Sequence, residues 1–223
     1  MHGLIRTLAH LIQTDKDLNK ERPMNDLPDR FPRGWFVLGH QRDFPIGETN
    51  TIYGFDRKIQ VKRLEDGSIK IDLGDTDEWP ILEINQMVMV WHDAEKKEPD
   101  FLPKKIEECY SDEWSDYGMA SFLVKNNCRE LIDNMADKGH FGPVHQAPFE
   151  GFWNEAKDHT YTQEMTADSP ILGRDLFSQA TYEGPAYMTT YMSAIHDGNK
   201  VESRLAVTHI PLTLTSFQIN FGV

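Results

Sequence analysis

Alternation of apolar and polar residues between turn signals is the feature that most constrains this chain. "KIQVKRL" and "SIKIDL" alternate with the period of a strand and flank Asp66-Gly67, a pair that supports the positive φ angles of a tight hairpin turn. "WPILEI" and "MVMVWHD" repeat the arrangement around Asn85-Gln86. Farther on, "DLFSQATYE", "AYMTTYMSAI", "VESRLAVTHI" and "LTLTSFQINFGV" predict an antiparallel meander, its middle pair joined at Asp197-Gly198. A helix is predicted over 126–138, after a charged, proline-containing linker from Ala94 to about Asp116. The chain shows no internal repeat and no low-complexity tract.

The 223 residues suffice for one sizeable core or two small ones. A formal net charge of -13 repels phosphate backbones and anionic lipid heads, which argues against nucleic-acid partners. Two distant cysteines, Cys109 and Cys128, make no disulfide framework, so the expected compartment is the cytoplasm. "GLIRTLAHLIQ", residues 3–13, predicts an amphipathic helix too short and too polar to span a bilayer; membrane contact is at most peripheral. Residues 20–32 hold three prolines and many charges and read as an extended lead-in.

Chemistry concentrates in "DNMADKGHFGPVHQ", residues 133–146. On a helix, Asp133, Asp137 and His140 share a face, and Gly142-Pro143 predicts a break that turns His145 back towards His140. Two imidazoles with a carboxylate suit a divalent metal such as ferrous iron, and Asp137 is placed to fix the tautomer of a ligand ring. The same residues also fit a plain helix C-terminus, where the dipole favours His140 and His145 lies in a surface loop.

The chain resembles the oxygenase alpha subunit of Rieske non-heme iron oxygenases, above all the steroid-acting branch of 3-ketosteroid 9-alpha-hydroxylases and cholesterol 7-desaturases. "FPRGWFVLGHQRDFPIGE", "GFDRKIQVKRLEDGSIKIDL" and "WPILEINQMVMVWHD" are similar to the opening, first strands and closing strands of the family's Rieske domain. "NNCRELIDNMADKGHFGPVH" is similar to the helix with the Asp-x-x-His-x4-His motif, and "TYEGPAYMTTYM" and "PLTLTSFQINFGV" to strands of the catalytic domain. The resemblance implies that His140 and His145 ligate a mononuclear iron and that Asp137 bridges electrons towards it. It further implies an apolar pocket near Phe141, Phe149, Trp153, Tyr187 and Met192, a ferredoxin reductase partner, a steroid-like substrate and a trimeric homo-oligomer.

The expected fold is α+β: a remnant of a Rieske-type small β domain over 31–110, after an N-terminal helix and lead-in over 1–30. An incomplete helix-grip (START-like) catalytic domain with a curved antiparallel sheet follows over 111–223. Two departures from the family shape the functional expectation. The family's 2Fe-2S cluster requires Cys-x-His and Cys-x2-His, and neither cysteine has a histidine at those offsets; only "GDTDE" separates Leu73 from Trp79. The family's third iron ligand, an aspartate on a later helix, would lie beyond Val223, so the iron site is expected to be weak or incomplete. The implied function is O2-dependent hydroxylation or desaturation of a sterol-like molecule, impaired by the missing cluster. The alternative is a non-catalytic apolar-ligand-binding or regulatory subunit of the same fold, and the chain is expected to be oligomeric or poorly soluble when expressed alone.

Overall fold

The backbone follows the alternation. A computed structural model describes residues 29–145, 149–169 and 173–223, so the N-terminal helix and most of the lead-in lie outside the described residues. Six strands form two three-stranded sheets: β1 (Gly34–His40), β2 (Thr49–Gly54), β3 (Arg57–Arg63), β4 (Ile69–Asp72), β5 (Ile81–Ile84) and β6 (Met87–His92), in orders β1-β6-β5 and β2-β3-β4. Seven more form one sheet in order β7-β13-β12-β11-β10-β9-β8. They are β7 (Met119–Val124), β8 (Phe149–Lys157), β9 (Thr160–Ser169), β10 (Gly173–Glu183), β11 (Tyr187–His196), β12 (Asn199–Thr213) and β13 (Ser216–Gly222). Neighbouring strands in all three sheets pair antiparallel. The described helices are short, α1 (Glu130–Ala136) and α2 (Phe141–His145), so the described residues are mostly antiparallel sheet, less helical than the α+β expectation there.

Turn chemistry sets the registers. At Asp66-Gly67 the glycine takes φ +85, and Asp66 Oδ1 accepts from the Ser68 backbone and hydroxyl. Asn85 and Gln86 both adopt left-handed φ, 53 and 64, the geometry that keeps a two-residue hairpin twisted with its strands. Asn85 also ties the linker down. Its Nδ2 donates to the Lys104 carbonyl and the Tyr187 hydroxyl, and its Oδ1 accepts from Ile106 N–H.

Two sequence expectations need correction. "LTLTSFQINFGV" is not one strand: β12 continues through Pro211 to Thr213, and the chain reverses at Leu214-Thr215 into β13. Pro211 is tolerated because the register shifts there, between Pro211 and Thr213. Residues 149–169, not singled out as strands, form β8 and β9. Their alternation is masked because only Gln163, Met165, Ala167 and Ser169 are buried along β9, and two of these are polar.

The burial pattern explains the continuous apolar runs "WFVL" and "MVMVW". On one side of β1 and β6, Phe36, Leu38, Val88 and Val90 pack with Phe55, Ile59, Val61 and Ile210. On the other, Trp35, Val37, Met87, Met89 and Trp91 meet Tyr117, Tyr187 and Ala206. Covered on both faces, these strands lose the polar alternation seen in β3. Gly54 marks a close approach, since a Cβ there would lie 2.6 Å from Ile210 Cδ1. The opposite face of the large sheet carries Leu205, Val207, Phe217, Ile219 and Phe221 against Cys128 and Leu131, and Ala180 and Tyr182 against Met135. That face is the one α1 covers.

Candidate metal centre at the end of α1

α1 is amphipathic. Leu131, Ile132 and Met135 turn to the sheet while Glu130, Asp133 and Asn134 face solvent. Asp133 belongs to that solvated face, its carboxylate 3.8 Å from Arg129 Nε, and does not join the other candidate ligands. The helix ends at Ala136, earlier than the predicted Lys138. Gln163 of β9 donates a buried hydrogen bond of 2.5 Å to the Met135 carbonyl, pinning the last turn to the sheet. Asp137 then leaves helical geometry with φ -77 and ψ 97.

The break therefore falls at Asp137 and not at Gly142-Pro143. Asp137 Oδ1 accepts from Gly139 N–H at 2.8 Å, a local turn that competes with further helix. Lys138–His140 form a 3-10 turn, and α2 starts directly after it. Pro143 is the third residue of α2, where its missing N–H breaks no intrahelical bond.

This turn fixes His140. Its Nδ1 donates to the Asp137 carbonyl at 2.6 Å, which leaves Nε2 as the lone-pair nitrogen, the one suited to a metal. The ring is 12% exposed, and Asp137 Oδ2 stands 3.7 Å from Nδ1. The backbone of His145 ends α2; its side chain lies outside the described residues, as do those of Phe141 and Phe149. Among the described residues no three His, Cys, Asp or Glu side chains converge as a metal-binding group.

The remaining predicted pocket residues are dispersed. Trp153 on β8 is 47% exposed. Tyr187 is fully buried between the sheets, its hydroxyl accepting from Asn85. Met192 lines a cavity of about 420 Å³ with Gln86, Cys109, Trp114 and Arg204.

Sequence reasoning missed a polar pair beneath α1. His209 is fully buried with neither ring nitrogen in a hydrogen bond, and the Tyr182 hydroxyl is likewise buried without one; their ring centres are 6.3 Å apart. The nearby Pro185 carbonyl favours the charged ring but is outside hydrogen-bond geometry. Burial wins and pushes His209 down to about 4, so it is neutral at physiological pH. The available signal was phase: His209 falls in step with Leu205 and Val207 along "VESRLAVTHI".

A 2Fe-2S cluster does not fit the residues present. Cys109 Sγ lies 3.4 Å from the Tyr117 hydroxyl within the inter-sheet core, whereas Cys128 is buried under α1. Burial raises both thiols, Cys128 to about 11, which disfavours the thiolate a cluster requires. The β4–β5 connection, Leu73–Pro80, is short and tied down by Arg57–Asp75 at 2.9 Å and Lys96–Asp77 at 2.5 Å.

Comparison with known proteins places this geometry in context. The 3-ketosteroid 9alpha-hydroxylase C-terminal domain family matches residues 90–223. The oxygenase component of a 3-ketosteroid-9-alpha-monooxygenase from Rhodococcus rhodochrous is 28% identical, over 87% of this chain and 65% of the relative. A Mycobacterium tuberculosis oxygenase component of the same description is 27% identical over 88% and 66%, and a cholesterol 7-desaturase from Hemicentrotus pulcherrimus 24% over 77% and 54%. The chain thus spans about two thirds of the length of its curated monooxygenase relatives. The Rhodococcus alignment runs over 255 positions, more than the 223 residues of this chain, so the relative holds internal residues that this chain lacks. Among solved structures, dicamba monooxygenase bound to dicamba superposes with TM-score 0.65 at 14% identity, covering 85% of this chain and 76% of that one. The quaternary ammonium Rieske monooxygenase CntA gives 0.60 at 12%, covering 86% and 69%, and both likenesses concern the fold. No helix among the described residues is long and apolar enough to cross a membrane.

Proposed function

The chain belongs to the 3-ketosteroid 9alpha-hydroxylase C-terminal domain family, and on that footing we propose that it serves O2-dependent oxidation of a steroid or sterol-like molecule at a mononuclear iron. Residues 111–223 act as a helix-grip catalytic domain, and residues 31–110 as a Rieske-like unit without a cluster. The observation that carries this reading is that Asp137 fixes the His140 ring through the Nδ1 bond to its carbonyl, within the Asp137-x-x-His140-x4-His145 pattern.

His140 and His145 would hold the ion, which when bound supplies the site for oxygen activation. The chain's own residues do the rest. The Asp137 carbonyl holds the His140 tautomer, and the Asp137 carboxylate sets a negative charge 3.7 Å from the ring. Leu131, Met135 and Met188 keep water from the sheet face behind them. Since the cluster ligands are lacking, electrons come from another polypeptide, either a ferredoxin reductase component or a neighbouring subunit of an oligomer, and turnover by the chain alone is impaired. That same lack favours a second reading, in which the domain binds an apolar ligand without chemistry.

Iron content of protein purified with ferrous salt tests the site. Native protein retains iron and His140→Ala and His145→Ala lose it; equal iron in all three removes the proposal. Oxygen uptake with reductase and a 3-ketosteroid then separates enzyme from binder. A steroid-dependent thermal shift without uptake selects the binding reading.

A further inference from the structure

Two Asp-Gly pairs stand in this chain, Asp66-Gly67 and Asp197-Gly198, and no Asn-Gly pair does. Asp-Gly is the aspartyl pair most open to reaction with itself. The side-chain Cγ reaches the following backbone nitrogen by closing a five-membered ring, and glycine has no Cβ to shield that nitrogen. Steric access does not separate the two pairs, since a Cβ built at either glycine would meet nothing within 4 Å.

Hydrogen bonding does separate them. At the first pair both reactants are held: Gly67 N–H donates to the Leu64 carbonyl at 2.9 Å, and Asp66 Oδ1 accepts from the Ser68 hydroxyl at 2.6 Å and the Ser68 N–H at 3.0 Å. The Ser68 hydroxyl, and after it the Ser68 N–H, lower the Asp66 pKa and so deplete the protonated carboxyl from which water can leave. At the second pair both reactants are free. Among the described residues Gly198 N–H donates to no acceptor, and the Asp197 carboxylate enters no hydrogen bond or ion pair. Both residues are exposed, at φ 50 and 80, and they are the whole of the turn across which His196 pairs with Asn199.

We infer that Asp197 is a site of spontaneous isomerisation to isoaspartate. The Gly198 nitrogen attacks Cγ of the protonated Asp197 carboxyl. The N–Cγ bond forms, the Cγ–OH bond breaks, and the amide proton leaves with the hydroxyl as water. The succinimide then takes up one water; when its bond from nitrogen to the Asp197 backbone carbonyl carbon opens, the chain runs on through Cγ, with no atom gained or lost overall. The product carries an added methylene in the main chain of a two-residue turn, beside the cavity that Met192, His196 and Val201 line. Neither His140 nor a metal takes part, so the site stands independently of the iron reading.

Ageing the folded full chain in mildly acidic heavy-oxygen water, followed by digestion in ordinary water and peptide mass spectrometry, tests it. Each passage through the succinimide leaves one heavy oxygen at the reacting aspartate. Isoaspartate and heavy oxygen accumulate at Asp197 about tenfold or more faster than at Asp66, because Asp66 must first lose the Gly67 and Ser68 hydrogen bonds. In urea that unfolds the chain those bonds are gone, and the gap between the two sites closes. Equal rates in the folded chain, faster reaction at Asp66, or no isoaspartate at Asp197 while the unfolded chain forms it overturns the inference. A gap that persists undiminished in urea overturns its structural cause.

Discussion

Replacing His209 by leucine should make the protein more stable, and increasingly so as the pH falls. In the folded chain the ring is fully buried, neither nitrogen is hydrogen-bonded, and burial holds its pKa near 4 against 6.5 for an ordinary histidine. Between about pH 6.5 and about pH 4 the unfolded chain therefore binds a proton that the folded chain refuses, so stability falls as the pH is lowered through that window. The drop from 6.5 to about 4 is worth about 3 kcal/mol once fully expressed. At neutral pH the ring still costs about 1–3 kcal/mol for its unmade hydrogen bonds, and leucine avoids that cost within a similar volume among Val207 and Phe217. Urea denaturation of both proteins at about pH 7 and about pH 4.5 checks this. Carboxylates that titrate in the same range are common to the two proteins and cancel in the difference. If the two stabilities run parallel with pH, His209 is not held neutral and the reasoning fails.

Tyr182→Phe removes a second buried hydroxyl that makes no hydrogen bond, and should leave stability unchanged or raise it by about 1 kcal/mol in urea denaturation; a loss beyond about 1 kcal/mol would reveal a partner for the hydroxyl. Asn85→Ala removes three hydrogen bonds and strands the Tyr187 hydroxyl, the Lys104 carbonyl and the Ile106 N–H, at a cost of about 3 kcal/mol or more. Hydrogen exchange should then accelerate over 104–110, and unchanged protection there would refute the role given to Asn85 as the anchor of the linker. Gly54→Ala should cost about 1–3 kcal/mol through the 2.6 Å clash with Ile210, read from the thermal midpoint.

Strands bounded by turn chemistry were legible. The β3–β4 and β5–β6 hairpins and the β11–β12 turn at Asp197-Gly198 form where their residues predict them, because positive φ at Asn, Asp and Gly is a local property. β8 and β9 were not, since their inward positions include Gln163 and Ser169 and their pairing is decided by neighbours distant in sequence. The reversal after Thr213 was obscured by a proline that ends a strand in most settings but here sits at a register shift. At the candidate metal site the composition was readable and the break was not. Gly142-Pro143 is the stronger breaker by residue type, yet the buried bond from Gln163 and the Asp137 turn end α1 first. Asp137 and His140 still meet, through a backbone carbonyl instead of a shared helical face.

The anchoring of Met135 by Gln163 has a consequence for how such a site can drift or adapt. With only seven residues in α1, the pose of His140 is inherited from the seam with β9 and owes little to the helix's own rigidity. Exchanges along Gln163 and its strand neighbours can therefore shift the His140 imidazole while residues 137–145 stay unchanged. The sheet, and not the turn itself, is where selection could adjust the pose of this ring most finely.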